Sequence, residues 1–146
     1  MVMSLVVNRN REPRYKDFIV YKKDGIFYIS RVVATAGQSV TVMDDILYVN
    51  NKVKKEPYIS KIKSEYLSTS DTQQPFTSDF SVNTVSNGKY NEVPKGYYLV
   101  LNDDRQNTND SRSFWTNQRK VKIRWCCLLS KVFTHFKSIW IYYKSE

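Results

Sequence analysis

The chain has 146 residues, of which 41% are hydrophobic, 25% are charged and 14% are aromatic. This length fits one small domain, whose core is large enough to fold without disulfides or metal ions. The composition excludes fibrous, collagen-like and wholly disordered chains. No run approaches the roughly 20 apolar residues of a membrane helix, and no signal peptide opens the chain. As written, the sequence therefore predicts a soluble or peripherally attached protein.

The net charge of +9 is distributed unevenly along the chain. Residues 1–114 hold 16 Lys and Arg against 13 Asp and Glu, whereas residues 115–146 hold seven against one. The second segment also contains all three Trp, both Cys and the single His, but none of the four Gly. The break after Phe114 divides the chain into a β domain, 1–114, and an atypical basic tail, 115–146.

The cysteines and the histidine do not form a recognisable metal site. Cys126 and Cys127 are adjacent, a spacing that suits neither zinc ligation nor a disulfide between them. His135 has no companion ligands along the chain. We expect no metal and no cofactor. The small net charge of the β domain also argues against a specific nucleic acid partner.

The β domain is predicted to be mostly β-structure, because no segment carries a convincing helical stripe. Apolar runs on both sides of Asp24-Gly25 predict a β-hairpin, since both residues tolerate positive φ. A second hairpin is predicted across Asp44-Asp45, closed by the turn residues Asn50-Asn51. Residues 60–92, rich in Ser, Thr, Asn and Gln, are predicted to form a long, partly irregular insertion.

A turn at 93–96 leads into residues 97–101, which are predicted to form a buried strand, and then into a polar loop, 102–112. The loop carries two acid–base sets, which are Asp103 with Arg105 and Asp110 with Arg112. On pattern alone, the simpler interpretation is a solvated loop with weak ion pairs, each worth about 0–1 kcal/mol.

Five segments of the β domain, taken in order, resemble the sequence boxes of one family. They are 17–21 (a Gly-Asp strand), 30–38 (a Lys-Arg-Val-Val-Gly-x-Pro-Gly-Asp box), 47–50 with 56–58 (the following hairpin), 93–101, and 102–112 (a Gly-Asp-Asn-Arg-x-x-Ser-x-Asp-Ser-Arg box). These boxes are similar to those of type I signal peptidases, the membrane-anchored Ser/Lys endopeptidases that remove signal peptides from exported proteins. The resemblance implies an antiparallel β-core of the signal-peptidase type with a long irregular insertion.

The resemblance also implies that the catalytic dyad is missing. The family's lysine base has a pKa lowered by burial and takes a proton from a serine nucleophile. Its position, directly before Arg31, holds Ser30, whose hydroxyl is no proton acceptor at neutral pH. Lys22 and Lys23 flank a hairpin turn and would stay protonated. The stretch 4–9 resembles the end of the box that follows the nucleophile, so we expect the nucleophile segment and the membrane anchor to be absent.

A supporting shell of the family's site is retained. The resemblance implies that Arg31 pairs with Asp103, that Asp110 pairs with Arg112, and that Thr108 replaces a serine that binds the lysine amine. The residues expected to have this structural role are Arg31, Asp103, Arg105, Thr108, Asp110, Ser111 and Arg112. Asn102 replaces a glycine. With Gly37-Gln38-Ser39 and the serine at the lysine position, the chain most resembles the inactive signal peptidase IA of Gram-positive bacteria.

The expected function is therefore that of a catalytically inactive signal peptidase core at the extracytoplasmic face of the cell membrane. The implied partners are the signal peptides of exported preproteins. One binding mode is β-addition along the strand that resembles the family's substrate groove. The residues of this strand are Asp17, Phe18, Ile19, Val20 and Tyr21.

The composition break after Phe114 predicts a change of reading frame. The family continues with Gly-Leu-Ile, whereas this chain continues with residues 115–118, Trp-Thr-Asn-Gln. Deleting the T of the Trp codon allows Gly-Leu-Ile-Lys instead, and the same frame allows Gly-Val-Val-Phe-Tyr-Pro at 125–130. Both match the family pattern. We therefore predict that the last strand of the core is lost or replaced. Loss of the strand would leave an exposed sheet edge.

Two alternatives remain open from the sequence. In the first alternative, the tail, 115–146, is a genuine basic, aromatic module that binds an anionic membrane or nucleic acid. In the second, the chain is an active hydrolase that uses another serine, such as Ser111. No candidate base lies near Ser111 in the sequence.

Overall fold

The computed structural model folds the chain into two antiparallel β-sheets joined by short helical elements, and it describes residues 7–8, 12–23, 25–70, 74–115 and 122–127. Within these ranges the strands are β1 (Val7–Asn8), β2 (Phe18–Lys23), β3 (Ile26–Ala34), β4 (Val40–Met43), β5 (Ile46–Val49), β6 (Lys52–Val53), β7 (Phe80–Ser81), β8 (Leu99–Leu101) and β9 (Lys122–Cys127). The helical elements are a 3₁₀ turn (Pro57–Ile59), α1 (Ser60–Thr69), α2 (Val82–Val85) and α3 (Ser111–Phe114). One sheet has the order β1-β9-β2-β3-β8 and the other β6-β5-β4-β7, which confirms the predicted fold class.

Both predicted hairpins are present, and their turns contain residues with positive φ. β2 and β3 pair antiparallel, and Gly25 in the turn between them has φ +84°. Asp44 and Asp45 join β4 to β5 with φ of +51° and +63°, the left-handed pair that a type I′ turn requires. Asn50 and Asn51 repeat this geometry, with φ of +51° and +59°, between β5 and β6. The residues predicted to close the second hairpin therefore form a turn that leads into a further strand, β6.

The main core lies between the two sheets. It joins Val33 of β3 and Leu101 of β8 to Val42 of β4 and Leu47 of β5. A smaller cluster covers the opposite face of the five-stranded sheet and contains Ile19, Tyr21, Val32 and Val100. β3 is therefore buried on both faces along residues 30–34, so a side chain in its middle is enclosed by packed neighbours.

Two helices, α1 and α2, lie in the segment predicted to be partly irregular, where the sequence showed no helical stripe. α1 buries none of its residues, and it therefore lacks the apolar stripe that marks a helix in a sequence. The ring of Tyr66 packs against Phe76, with centroids 5.4 Å apart, and Lys63 Nζ lies 3.5 Å from Asp45 Oδ1. Nowhere in the described ranges is a helix long and apolar enough to cross a membrane.

The tail contributes strand β9, which lies between β1 and β2. The exposed edge expected for a lost strand is not found at β2, because β9 pairs with β2 from Phe18, opposite Cys127, to Lys22, opposite Lys122. The rest of the tail beyond Trp115, including His135, lies outside the described residues. Of the N-terminal stretch 4–9, the description covers only Val7 and Asn8.

Candidate functional site

Ser30 occupies the middle of β3 and is only 1% exposed. Its Oγ donates to Oδ1 of Asn102 at 2.7 Å and lies 3.0 Å from the hydroxyl of Tyr21. Because a serine carries one hydroxyl hydrogen, Tyr21 must be the donor in the second bond. These contacts form a polar chain, Tyr21–Ser30–Asn102, that crosses from β2 through β3 to the polar loop.

This polar chain contains no group that takes up a proton at neutral pH. The amide oxygen of Asn102 accepts hydrogen bonds but is not a base. Burial raises the pKa of Tyr21, so its phenol stays protonated and acts as a donor. A general base needs a pKa near the operating pH. The arrangement therefore orders these side chains without activating a nucleophile.

Arg31, the next residue of β3, binds the carboxylate of Asp103 through two hydrogen bonds. Nε donates to Oδ1 at 2.7 Å, and Nη2 donates to Oδ2 at 2.5 Å. The guanidinium carbon lies 4.0 Å from the ring centroid of Phe18 and 4.3 Å from that of Tyr58. The contact between Arg31 and Asp103 implied by the resemblance is thus present, and two aromatic rings enclose it.

Arg105 pairs with Glu56, a contact that the sequence analysis missed. The Arg105 side chain is 0% exposed, and its Nη2 donates to Glu56 Oε1 at 2.6 Å. The Tyr58 hydroxyl donates to the same oxygen at 2.7 Å. Burial lowers the pKa of Arg105, but Glu56, Tyr58 and Asp103 together outweigh this effect, so the net shift is upward and the charge is kept. Asp103, the neighbour of Arg105 along the sequence, is bound to Arg31 instead.

Asp110 is fully buried and binds Arg112. Arg112 Nε donates to Oδ1 at 2.9 Å, and Nη2 donates to Oδ2 at 2.6 Å. Asp110 also caps α3 by accepting from the backbone N–H of Arg112 at 3.0 Å. The interpretation of this loop as solvated, with weak ion pairs, is therefore wrong, since Arg105 and Asp110 are both removed from solvent.

Asp110 and Ser111 close the outer edge of β8. The N–H of Val100 donates to Ser111 Oγ at 2.8 Å, and the N–H of Asn102 donates to Asp110 Oδ2 at 2.9 Å. Alternate N–H groups of a strand point to the same edge, so these two side chains take the place of a neighbouring strand. Ser111 is buried and its oxygen is committed to the backbone, which does not favour a nucleophilic role.

Thr108 does not reach Ser30; Asn102 does. Thr108 is exposed, and none of the hydrogen bonds between described residues joins it to Ser30. Asn102 Nδ2 donates to the carbonyl oxygens of Asn107 at 3.0 Å and Asn109 at 3.3 Å. The Asn102 side chain thus links β3 to the loop that carries Thr108. The sequence analysis noted an asparagine at this position but predicted no contact for its side chain.

The strand predicted to line a substrate groove is internal to its sheet. β2, which contains all of that segment except Asp17, pairs with β3 on one edge and with β9 on the other. The Asp17 carboxylate accepts from the backbone N–H of Arg14 at 2.8 Å and so closes the turn before β2. Peptide addition requires an unpaired strand edge. The predicted β-addition along this strand is therefore wrong while β9 is in place.

Among the described residues, no three His, Cys, Asp or Glu side chains lie together as a metal site would require. The expectation that the protein needs no metal and no cofactor stays a prediction.

The antiparallel β fold and the polar loop, 102–112, define a class of protein that comparison with known families identifies. The family described as "Signal peptidase, peptidase S26" matches residues 1–123 of this chain. The chain therefore belongs to the signal peptidase family. The match ends inside β9, so it includes nearly all of the region that the structure describes.

Curated relatives and a solved structure are similar to the same region. Signal peptidase I U of Bacillus subtilis (strain 168) is 36% identical over 92 residues, which are 63% of this chain and 43% of that protein. Signal peptidase IB of Staphylococcus aureus (strain Mu50) is 38% identical over 89 residues, 60% of this chain and 44% of that protein. The crystal structure of a signal peptidase I from Enterococcus faecalis V583 aligns with a TM-score of 0.64 and 29% identity, covering 72% of this chain and 88% of that one. The chain spans less than half the length of these curated relatives.

Proposed function

We propose that this chain is a signal peptidase core that does not hydrolyse peptides. The observation that carries the proposal is the buried hydroxyl of Ser30, which is bound to Asn102 and Tyr21. The family resemblance implies a lysine base at this position. A serine–lysine mechanism needs a neutral amine at this position to take the proton of the nucleophile. The surrounding ion pairs support the same proposal, because they preserve the scaffold around a position that has lost its base.

We further propose that the partners are signal peptides of exported preproteins and that the protein works at the extracytoplasmic face of the cell membrane. The membership of the family and its relatives' names support this assignment. Because both edges of β2 are paired, contact with such a peptide would have to use another part of the domain.

The proposal is tested by incubating the purified full chain with a preprotein that carries a signal peptide, with Signal peptidase I U of Bacillus subtilis as the positive control. We expect the preprotein to remain intact with this chain and to be cleaved in the control. Ser30→Ala and Ser111→Ala variants are purified in parallel. Cleavage by the natural chain that either substitution abolishes would overturn the proposal, whereas cleavage common to all preparations identifies a contaminating peptidase.

The reading-frame change after Phe114 is a separate proposal. It is supported by Trp115, whose side chain is 7% exposed and whose indole Nε1 has no hydrogen-bond partner among the described residues. A buried unpaired N–H is unfavourable by about 1–3 kcal/mol. Resequencing the gene from upstream of the Met1 codon through the stop decides the matter. One surplus T near the Phe114 codon supports the proposal, and an unchanged sequence overturns it.

The alternative of a basic surface-binding module stays a prediction, because the structure describes only Trp115 and β9 of the tail. Counterion release dominates such binding, so its affinity for anionic vesicles or nucleic acid should fall steeply with salt. Truncation after residue 114 should abolish it. Retention of binding by the truncated chain would contradict the alternative.

A further inference from the structure

We propose that Asn102 is a positioning residue whose side-chain hydrogen bond to Ser30 holds the polar loop against β3. We further propose that this hydrogen bond leaves no space for a longer side chain at position 30. The inference goes beyond the proposed function, because it concerns the energetic coupling of two side chains and holds or fails whether or not the chain cleaves peptides. Its observations are the hydrogen bonds and the burial around Asn102.

The amide of Asn102 uses its hydrogen-bonding capacity in both directions. Oδ1 accepts from Ser30 at 2.7 Å, and Nδ2 donates to the carbonyl oxygens of Asn107 and Asn109. An amide carries two N–H hydrogens, so these two donated bonds use both of them. One side chain thus joins the middle of a buried strand to two points of a loop about 72 residues further along.

Both ends of this connection are held by other bonds. Ser30 is buried and receives the hydroxyl hydrogen of Tyr21. The backbone N–H of Asn102 donates to Asp110, and its carbonyl oxygen accepts from Arg105 Nε at 2.9 Å. The Asn102 side chain therefore leaves its place only by breaking three hydrogen bonds while its backbone stays fixed.

The separation between the two side chains leaves no room for a lysine at position 30. Ser30 Oγ and Asn102 Oδ1 are 2.7 Å apart, which is hydrogen-bond contact without a gap. A lysine extends two carbons and an amine beyond the serine oxygen position. Since protein interiors are close-packed, the added atoms would have to displace the Asn102 amide. The loss of a base at position 30 and the gain of a bridge at position 102 are then one structural change.

The decisive experiment measures whether the effect of Asn102→Ala on the unfolding equilibrium constant changes sign with the residue at position 30. In the natural background we expect Asn102→Ala to raise the unfolding equilibrium constant about tenfold, because three hydrogen bonds are lost. Ser30→Lys should raise it about 100-fold through overpacking. Adding Asn102→Ala to Ser30→Lys should lower it again by about tenfold, since the obstructing amide is removed. The measurement is urea unfolding of the full chain.

Effects that simply multiply in the double variant would overturn the proposal. If Ser30→Lys does not fold, a matched pair at position 30 decides instead. Ser30→Thr and Ser30→Val have the same shape and differ in the hydroxyl, so Asn102→Ala should raise the unfolding constant severalfold more in the Thr background. The side-chain amide signals of Asn102 give a second readout by NMR. We expect slow hydrogen exchange with Thr and about tenfold faster exchange with Val; equal rates in the two variants would overturn the bridge.

Discussion

The ion pairs around position 30 match the family resemblance, whereas the residue at position 30 itself departs from it. Arg31 with Asp103, and Arg112 with Asp110, form the pairs that the family resemblance implies, with buried or nearly buried charges. Next to Arg31, the hydroxyl of Ser30 is bound to the amide of Asn102. The family resemblance implies a lysine and a glycine at these two positions. The ion pairs of this site are therefore present although position 30 carries no basic side chain.

The difference shows what the charged residues of the loop do. They bind each other, cap α3 and close a strand edge, and in these contacts the carboxylates accept from guanidinium and backbone N–H groups rather than from a serine hydroxyl. Removing one partner of a buried pair leaves an uncompensated charge, which is strongly unfavourable. Such residues are needed for the fold whether or not the site is active. Perturbing the scaffold should therefore change stability far more than perturbing the surface.

The largest effect is expected from the pair that sequence analysis missed. Arg105→Ala leaves the carboxylate of Glu56, 11% exposed, without its cation. We expect the free energy of unfolding to fall by about 3–5 kcal/mol, measured by urea denaturation. Lys61→Ala is the matched control, because the Lys61–Glu65 pair is largely exposed and worth about 0.5 kcal/mol or less. Equal effects of the two substitutions would mean that burial does not distinguish these pairs.

The next effect is a loss of stability at alkaline pH. Burial raises the pKa of Tyr21 and of Tyr58 above the ordinary value near 10, so the folded state holds these protons where the unfolded state releases them. The folded protein then binds more protons than the unfolded protein above pH 10, and the free energy of unfolding must fall as pH rises. Each tyrosine contributes a slope of at most about 1.4 kcal/mol per pH unit.

Urea unfolding between pH 9 and 11.5 measures this slope. Tyr58→Phe should make it shallower, although the variant is less stable at neutral pH because Glu56 loses a donor. A slope identical to that of the natural chain would show that Tyr58 is not protected from ionisation.

A smaller loss is expected at the closed edge of β8. Ser111→Ala leaves the N–H of Val100, a residue 5% exposed, without its acceptor. The expected decrease in the free energy of unfolding is about 1–3 kcal/mol. Ser113→Ala removes a hydroxyl that donates to the Thr108 carbonyl near the surface, and should change it by less than about 0.5 kcal/mol. A neutral Ser111→Ala would mean that water replaces the serine at this edge.

The smallest effect should stabilise the scaffold. Lys16 has φ +75°, a left-handed conformation that favours glycine, and the family resemblance places a glycine directly before Asp17. Lys16→Gly should raise the free energy of unfolding by about 0.5–1 kcal/mol. Lys16→Ala removes the side chain but keeps the strained backbone, so it should not stabilise the protein. Equal effects of Gly and Ala in thermal unfolding would assign the change to the lysine side chain.

Local signals predicted more of this molecule than distant ones did. The hairpins follow from adjacent turn residues such as Asp44 and Asp45, whose preference for positive φ acts within the turn itself. α1 was missed because a helix that buries no side chain has no periodic apolar signal. The contact of Arg105 with Glu56 joins residues 49 apart, and sequence proximity suggested Asp103 instead. No local rule connects such residues before the strands are assembled.

The distance along the sequence between contacting residues also explains why the site was predicted only in part. The assignment of Ser30 to the base position rests on the family resemblance at one residue and stays a prediction. The bridge to Asn102 depends on the length of one amide side chain and on the placement of a loop that folds back over β8. The role of β9 beside β2 was likewise hidden, because the tail has none of the family's sequence pattern at that point.

The closure of β8 by Asp110 and Ser111 also affects how copies of this protein meet one another. A strand at the end of a sheet offers unpaired N–H and C=O groups on which a second chain can add, and such addition leads to aggregation. Here the N–H groups of Val100 and Asn102 are already occupied by side chains of the same molecule. The loop that follows β8 therefore also hinders the addition of a second chain at this edge of the sheet.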